Sequence, residues 1–153
     1  MGESLAYVRA ALAIIVSPSN KLLVLTGSEW PERPERSLQP DLAGGAVEED
    51  ETVEQGLLRE IKEETGLDIV AGSVRVVFQS THPAKYQPGF WHNYYFIMRS
   101  TDENVRISHE HSAWRWVSLD EFITTPWRPS QRVAVDFLHE HRILSQYLGL
   151  TTK

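Results

Sequence analysis

Residues 44–67 read GGAVEEDETVEQGLLREIKEETGL, and most of what the chain can be follows from how that stretch must be built. Thr52 with Gln55 three residues later is a capping box, Val53, Leu57 and Ile61 recur every four residues, and Gly66 stands where a left-handed C-terminal cap belongs. The spacing predicts a helix over residues 52–65, about four turns. On it Glu60, Glu63 and Glu64 fall at i, i+3 and i+4, so three carboxylates share one face. Like charges at that spacing destabilise a helix by about 0.2–0.5 kcal/mol per pair, and Arg59 can offset part of this by reaching Glu63. A bound cation would remove the rest. Carboxylates without Cys or an aligned His suit a hard divalent ion held through oxygen, Mg²⁺ or Mn²⁺ before zinc or copper. Mg²⁺ fills its remaining positions with water and substrate phosphate oxygens, which points to a phosphorylated ligand. The Gly44–Gly45 pair lets the backbone come close to such a ligand and offer it a carbonyl or an amide.

The same residues carry a resemblance. Gly45, five residues, Glu51, seven residues, then Arg59-Glu60-Ile61-Lys62-Glu63-Glu64-Thr65-Gly66-Leu67 resembles the signature box of the Nudix hydrolases with every fixed position filled. A chance match of this kind is on the order of one in 10⁹ per starting position. The alternative, an acidic solvated helix after an acidic loop, explains neither the glycines nor the clustered carboxylates. The resemblance implies a single Nudix domain over residues 1–153: an α/β fold, an α/β/α sandwich with a mixed sheet in which the box forms a loop, a helix and a loop.

Composition agrees with one domain. A chain of 153 residues with 41% hydrophobic and 24% charged residues is large enough for one core and small for two. A net charge of −6 argues against general nucleic-acid or membrane surfaces, but not against a small phosphorylated nucleotide held through metal. With no cysteine there is no disulfide framework, thiolate nucleophile or Cys-type zinc site. The longest apolar run, residues 10–16, is too short to span a bilayer and lacks the flanks of a signal peptide, so the reading is a cytoplasmic protein. A homodimer is compatible with it.

Along the chain, residues 7–17 and 22–26 read as two strands joined by a turn at residues 17–20. Residues 27–40, with three prolines, three glutamates and two arginines, read as an exposed loop. Arg33 or Arg36 there would meet substrate phosphate and Trp30 would stack on a base; a solvated loop with one partly buried Trp is the plainer reading. Residues 73–80 and 91–99 read as paired strands around a turn-rich segment at 82–89. Short strands at 105–107 and 114–117, a short helix at 119–124 and a longer helix from Pro129 follow. The aromatics at 90–91, 94–96 and 114/116 read first as core, and as a nucleobase pocket second. His109 and His111 supply only two zinc ligands, which do not make a site, and His139 and His141 read as surface residues. Residues 41–51 lack the alternating ligands of an EF-hand.

Carried over residue by residue, the resemblance makes Glu60, Glu63 and Glu64 the metal ligands, with the carbonyl of Gly44, and makes Glu51 and Arg59 a supporting pair that fixes the loop against the helix. Glu110 would add a carboxylate from a loop ahead of the Trp116-Val117 strand. Water would attack a phosphorus of the pyrophosphate, with Glu60, Glu64 and Glu110 as candidates to take its proton. Two positions depart from the common family pattern, Ala43 in place of Pro and Gly56 in place of Ala; neither removes a ligand. For substrate, (deoxy)nucleoside triphosphates rank first and ADP-ribose or another nucleotide sugar second, the latter on Pro83, sixteen residues past Leu67. A non-catalytic nucleotide-sensing domain is the alternative from another class, and the intact carboxylates speak against it.

Overall fold

The structure is a computed structural model and describes residues 6–84 and 88–150. Strand β1 (Ala6–Val16) is its axis. Alternate residues leave opposite faces of a strand, and here both faces are covered: Ala11, Ala13 and Ile15 are buried on one side, Ile14 and Val16 on the other. That explains why β1 reads as a continuous apolar run. Along its whole length β1 runs parallel to β6 (Gly89–Arg99), which in turn pairs antiparallel with β5 (Arg75–Pro83). The other edge of β1 is shared. Residues 10–13 take the short β4 (Ala43–Ala46), while Val16 pairs with Leu22 of β2 (Leu22–Gly27). β2 then carries β3 (Pro40–Asp41) and β7 (His111–Val117). The sheet therefore forks along β1, and the glycine pair lies in the branch that β4 makes.

Helix α1 (Val53–Thr65) lies over one face. Its buried Leu57 and Ile61 meet Ala11, Ala13, Ile15, Leu25 and Met98, and full burial of each aliphatic side chain stabilises by about 1.5–3 kcal/mol. Thr52 caps it as the capping box requires, its hydroxyl accepting from Gln55 N at 3.1 Å while Gln55 Oε1 accepts from Thr52 N at 2.9 Å. Gly66 closes it at φ +71°. On the opposite face α2 (Leu119–Thr124), α3 (Pro129–Glu140) and α4 (Ile143–Tyr147) bring Phe122, Ala134, Leu138 and Leu144 against Ile14, Val24, Tyr95 and Ile97. The α/β/α sandwich with a mixed sheet stands as expected.

Several elements differ from the sequence reading. Residues 102–108 form no strand; Val105 is instead buried beneath α1, and Arg106 N donates to Thr65 O at the end of that helix. Its apolar alternation reflects packing against a helix rather than a sheet. The C-terminal helix is broken, because Arg142 takes φ +61° and separates α3 from α4. Val133, which apolar spacing with Phe137 and Leu138 would turn inward, is 59% exposed. β5 starts at Arg75 because Ser73 closes a turn onto Val70 O, and it continues through Pro83; residues 85–87 of the expected turn lie outside those described. The proline-rich loop contains a 3₁₀ turn (Pro34–Arg36) and ends in β3. Of the aromatics read as core, Tyr95 and Phe96 are buried but Phe90 and Trp114 are exposed. Among the described residues no helix is long and apolar enough to cross a membrane.

Candidate active site

The site grows from the contact between β4 and α1. Gly44 has φ +143°, and a Cβ there would sit 2.0 Å from Ala11 O, so only glycine lets β4 lie this close to β1. A Cβ on Gly45 would sit 3.0 Å from the Glu60 carboxyl. The pair thus leaves room for side chains from the helix to reach the strand. Glu64 takes that room: it is 3% exposed, and its Oε2 accepts from Gly44 N at 3.0 Å. Burial pushes its pKa up to about 9; the Gly44 amide pulls the other way, and the charges of Glu60, Asp41 and Glu110 push further up. Glu60 is also raised, by burial first and then by Glu63 and Glu110, against the pull of Arg59.

Arg59 organises the rim. Its Nε and Nη2 donate to the two oxygens of Glu51 at 2.7 and 2.8 Å, and Nη1 donates to Glu60 at 3.1 Å and Glu63 at 3.4 Å. Glu48 N adds a bond to Glu51 at 2.9 Å. This fork, with the Glu48 amide, draws the Glu51 pKa down to about 2. Glu51 therefore ties the loop before α1 to the helix's second half.

Glu63 is turned to solvent on the rim side, and among the described residues no three Asp, Glu or His side chains stand together as a ready metal cage. The donor chemistry still fits a hard divalent cation. Two carboxyl groups of raised pKa lie beside the glycine pair, the charge of Glu60 reaching Glu64, with Arg59 bonded to only one of them, and a cation held by both would relieve both.

Glu110 lies in the loop before β7; it makes no side-chain hydrogen bond or ion pair among the described residues, yet its charge reaches Glu60 and Glu64. It borders two adjoining cavities. One, of about 720 Å³, is lined by Gly44, Gly45, Glu64, Trp91, Tyr95 and Gln131. The other, of about 450 Å³, holds Trp30, Arg33, Arg36, His109 and His111. The loop residues named from sequence are therefore gathered, with Arg36 on both cavities.

Between the cavities stands a group the sequence did not flag. Asp41 Oδ1 accepts from Leu42 N at 2.9 Å, Arg128 Nη2 at 2.9 Å and Gln131 Nε2 at 3.0 Å, and Oδ2 pairs with His111 Nε2 at 3.1 Å. Burial pushes its pKa up, but His111, Arg128 and Gln131 together hold it below the ordinary carboxylate value. His111 is thereby bound to a carboxylate through Nε2. An acid just before the glycine pair was the one signal available; Gln131, in the first turn of a helix, offered none.

A model of the NUDIX domain matches residues 6–138. The CTP pyrophosphohydrolase of Escherichia coli is 29% identical over an alignment of 122 positions that covers 78% of this chain and 82% of that protein. Among solved structures, the MutT protein of Methanosarcina mazei superposes with a TM-score of 0.70 at 24% identity, covering 92% of this chain and 99% of the other. The NUDIX domain of Shewanella oneidensis NrtR, solved with ADP ribose, gives 0.68 at 18% identity, covering 89% and 88%. A domain model spanning nearly the whole described chain, with the box folded as loop, helix and loop around a forked mixed sheet, leaves one assignment: the chain belongs to the Nudix hydrolase family.

Proposed function

We propose that the protein hydrolyses the phosphoanhydride linkage of a (deoxy)nucleoside triphosphate, releasing nucleoside monophosphate and pyrophosphate. The observation that carries this is the placement of buried Glu64, beside Glu60 and the Gly44 backbone, in the wall of a cavity that also presents the Trp91 ring and the buried polar edge of α3. Such a cavity holds a nucleoside at one end and phosphates at the carboxylates. The similarity to a CTP pyrophosphohydrolase supports a triphosphate substrate.

Nudix hydrolases use divalent metals, and Mg²⁺, with Mn²⁺ as substitute, suits these oxygen donors. When bound, the ion neutralises phosphate oxygens and acidifies water. Glu60, Glu64 and the Gly44 carbonyl would hold it, joined by Glu63 from the rim. Glu51 and Arg59 keep loop and helix in register, so that Glu60 stays against Gly45. Glu60, Glu64 and Glu110 are the carboxylates placed to take the proton of the attacking water, and Glu110 is the one without a side-chain partner among the described residues. Arg33 and Arg36 face the ligand's phosphates from the second cavity, and Trp30 offers a ring there.

A turnover screen of nucleoside triphosphates, ADP-ribose and other nucleotide sugars with Mg²⁺, reading phosphate and pyrophosphate, tests the reading. Turnover of triphosphates that stops in excess chelator and falls at least 10³-fold in Glu64→Gln is the expected result. Preferential cleavage of ADP-ribose would move the substrate to the second class. Tight binding without turnover of any compound would make the protein a sensor.

A further inference from the structure

We propose that a third cavity, separate from the carboxylate site and independent of the nucleotide chemistry above, binds a small phosphate monoester with an apolar or aromatic body. It lies between the sheet and α4, has a volume of about 540 Å³, and shares no lining residue with the two cavities that Glu110 borders. The register of the sheet builds its charge. Arg75 of β5 stands opposite Ile97 of β6, and Arg99 follows Ile97 by two residues, so both arginines leave the same face. Side chains on such a diagonal start about 7–8 Å apart. Neither arginine makes an ion pair among the described residues. On a chain of net charge −6, two like charges are thus set side by side with no carboxylate bonded to either.

Arg99 is fixed in place. Its Nη1 donates to Ser17 O at 3.3 Å and its Nη2 to Asn20 Oδ1 at 2.9 Å and Tyr147 O at 3.4 Å, while its Cζ lies 5.5 Å from the centre of the Tyr147 ring. That ring is itself held, because its hydroxyl donates to Ser73 O at 2.9 Å. These partners account for the position of Arg99 at the end of α4. All of them are neutral, however, and they leave its Nε–H and one N–H of Nη1 without a partner among the described residues. Nor do they account for Arg75, which is exposed and makes no side-chain hydrogen bond among the described residues. Gln146, on the α4 wall, likewise has an unengaged amide there. The floor is apolar, since Ile97 belongs to the buried core and Ile143 packs against it. A phosphate monoester carries close to two negative charges at neutral pH, its second pKa being about 6, and so matches two guanidiniums. Gln146 adds a donor, and the ester's body covers Ile143 and the Tyr147 ring. The volume suits a small molecule, within the range of roughly 300–1,000 Å³ that ligand pockets span.

The test is a titration of the isotope-labelled protein with phenyl phosphate at about pH 7.5, followed through backbone amide chemical shifts. Chelator is present throughout, which removes the ion through which the carboxylate site would hold a phosphate. Saturable shifts should gather at Arg75, Ile97, Arg99 and Tyr147. Inorganic phosphate, which lacks the body, and phenol, which lacks the charge, should each bind at least about 5-fold more weakly. Arg75→Gln alters an exposed side chain without a partner, so it should melt within about 2 °C of the parent and yet bind phenyl phosphate about 10-fold more weakly. Arg75→Lys, which keeps the charge but not the planar fork, should fall between the two. Shifts confined to the residues around Gly44 and Glu64 overturn the proposal, as does the absence of saturable binding up to about 10 mM. Equal affinity for inorganic phosphate or for phenol overturns it too, and so does an Arg75→Gln protein that binds as tightly as the parent. Should Arg75→Gln fail to fold, the comparison of the three ligands on the unmutated protein decides alone.

Discussion

A methyl group on Gly45 would press on the carboxyl end of Glu60, whereas one on Gly44 would press on the backbone of β1. The difference separates function from folding at adjacent residues. A carboxyl at the end of a flexible side chain can move aside at little energetic cost, so Gly45→Ala should fold with a melting temperature within a few degrees of the parent but lose at least 10-fold in kcat, because the displaced group is a proposed ligand. Gly44→Ala, 2.0 Å from a carbonyl oxygen and at φ +143°, should fail to give soluble folded protein. Circular dichroism melts with turnover on the same samples check both. Residues of this kind were legible in the sequence, since a glycine pair before a carboxylate helix has few other reasons to exist. Asp41 and Gln131 were not. Their contact arises only where β3, β7 and the start of α3 converge, and no local spacing reports such a meeting.

At the scale of elements, α1 was readable to within a residue because its cap, its period and its stop all agree. The short β3 and β4 were not, since two and four residues of Pro, Asp, Ala and Gly carry no strand signal and pair only because β1 and β2 offer free edges. Gly56 shows how packing can override propensity. Sequence alone makes it a loss of up to about 1 kcal/mol relative to Ala. In the fold, a Cβ there would meet both Val47 methyls at 3.1 Å and Glu51 Oε1 at 3.2 Å, and Glu51 is pinned by Arg59 and Glu48. Overpacking should win, and Gly56→Ala should be less stable by roughly 1 kcal/mol in urea unfolding; a more stable variant would show that Val47 gives way. The Glu51–Arg59 tie predicts a pH effect. The folded Glu51 pKa, about 2, lies below its ordinary value of 4.5, so its contribution is present above pH 4.5 and fades as pH falls toward 2. Glu51→Gln should therefore melt below the parent at pH 7, with the gap closing toward pH 2. A gap independent of pH would assign the loss to geometry rather than charge.

Across the whole molecule, the sandwich was predictable from the box, but the fork in the sheet was not, because it depends on β1 dividing one edge between β2 and β4. That fork lets a helix from one layer insert a carboxylate into the central sheet, and so couples the stability of the fold to the ligands of the site. Glu64 is the link: buried at the branch, with a pKa raised to about 9, it is neutral in the metal-free fold at pH 7 and ionised in the unfolded chain. A carboxyl whose folded pKa exceeds the unfolded value destabilises progressively as pH rises from about 4.5 to about 9. In chelator, then, the parent should lose stability over that window, and Glu64→Gln, which keeps the shape and can still accept from Gly44 N, should not. At pH 8 without metal the variant should melt higher; at pH 4 the two should coincide. Saturating Mg²⁺ should reverse the order at pH 8, since the parent binds the ion more tightly and gains more by mass action. Thermal unfolding of both proteins at the two pH values, in chelator and in Mg²⁺, reads all of this. A Glu64→Gln protein that melts lower than the parent in chelator at pH 8 would mean that the carboxylate is held ionised by the backbone at β4, and would place the cost of burying it elsewhere in the fold.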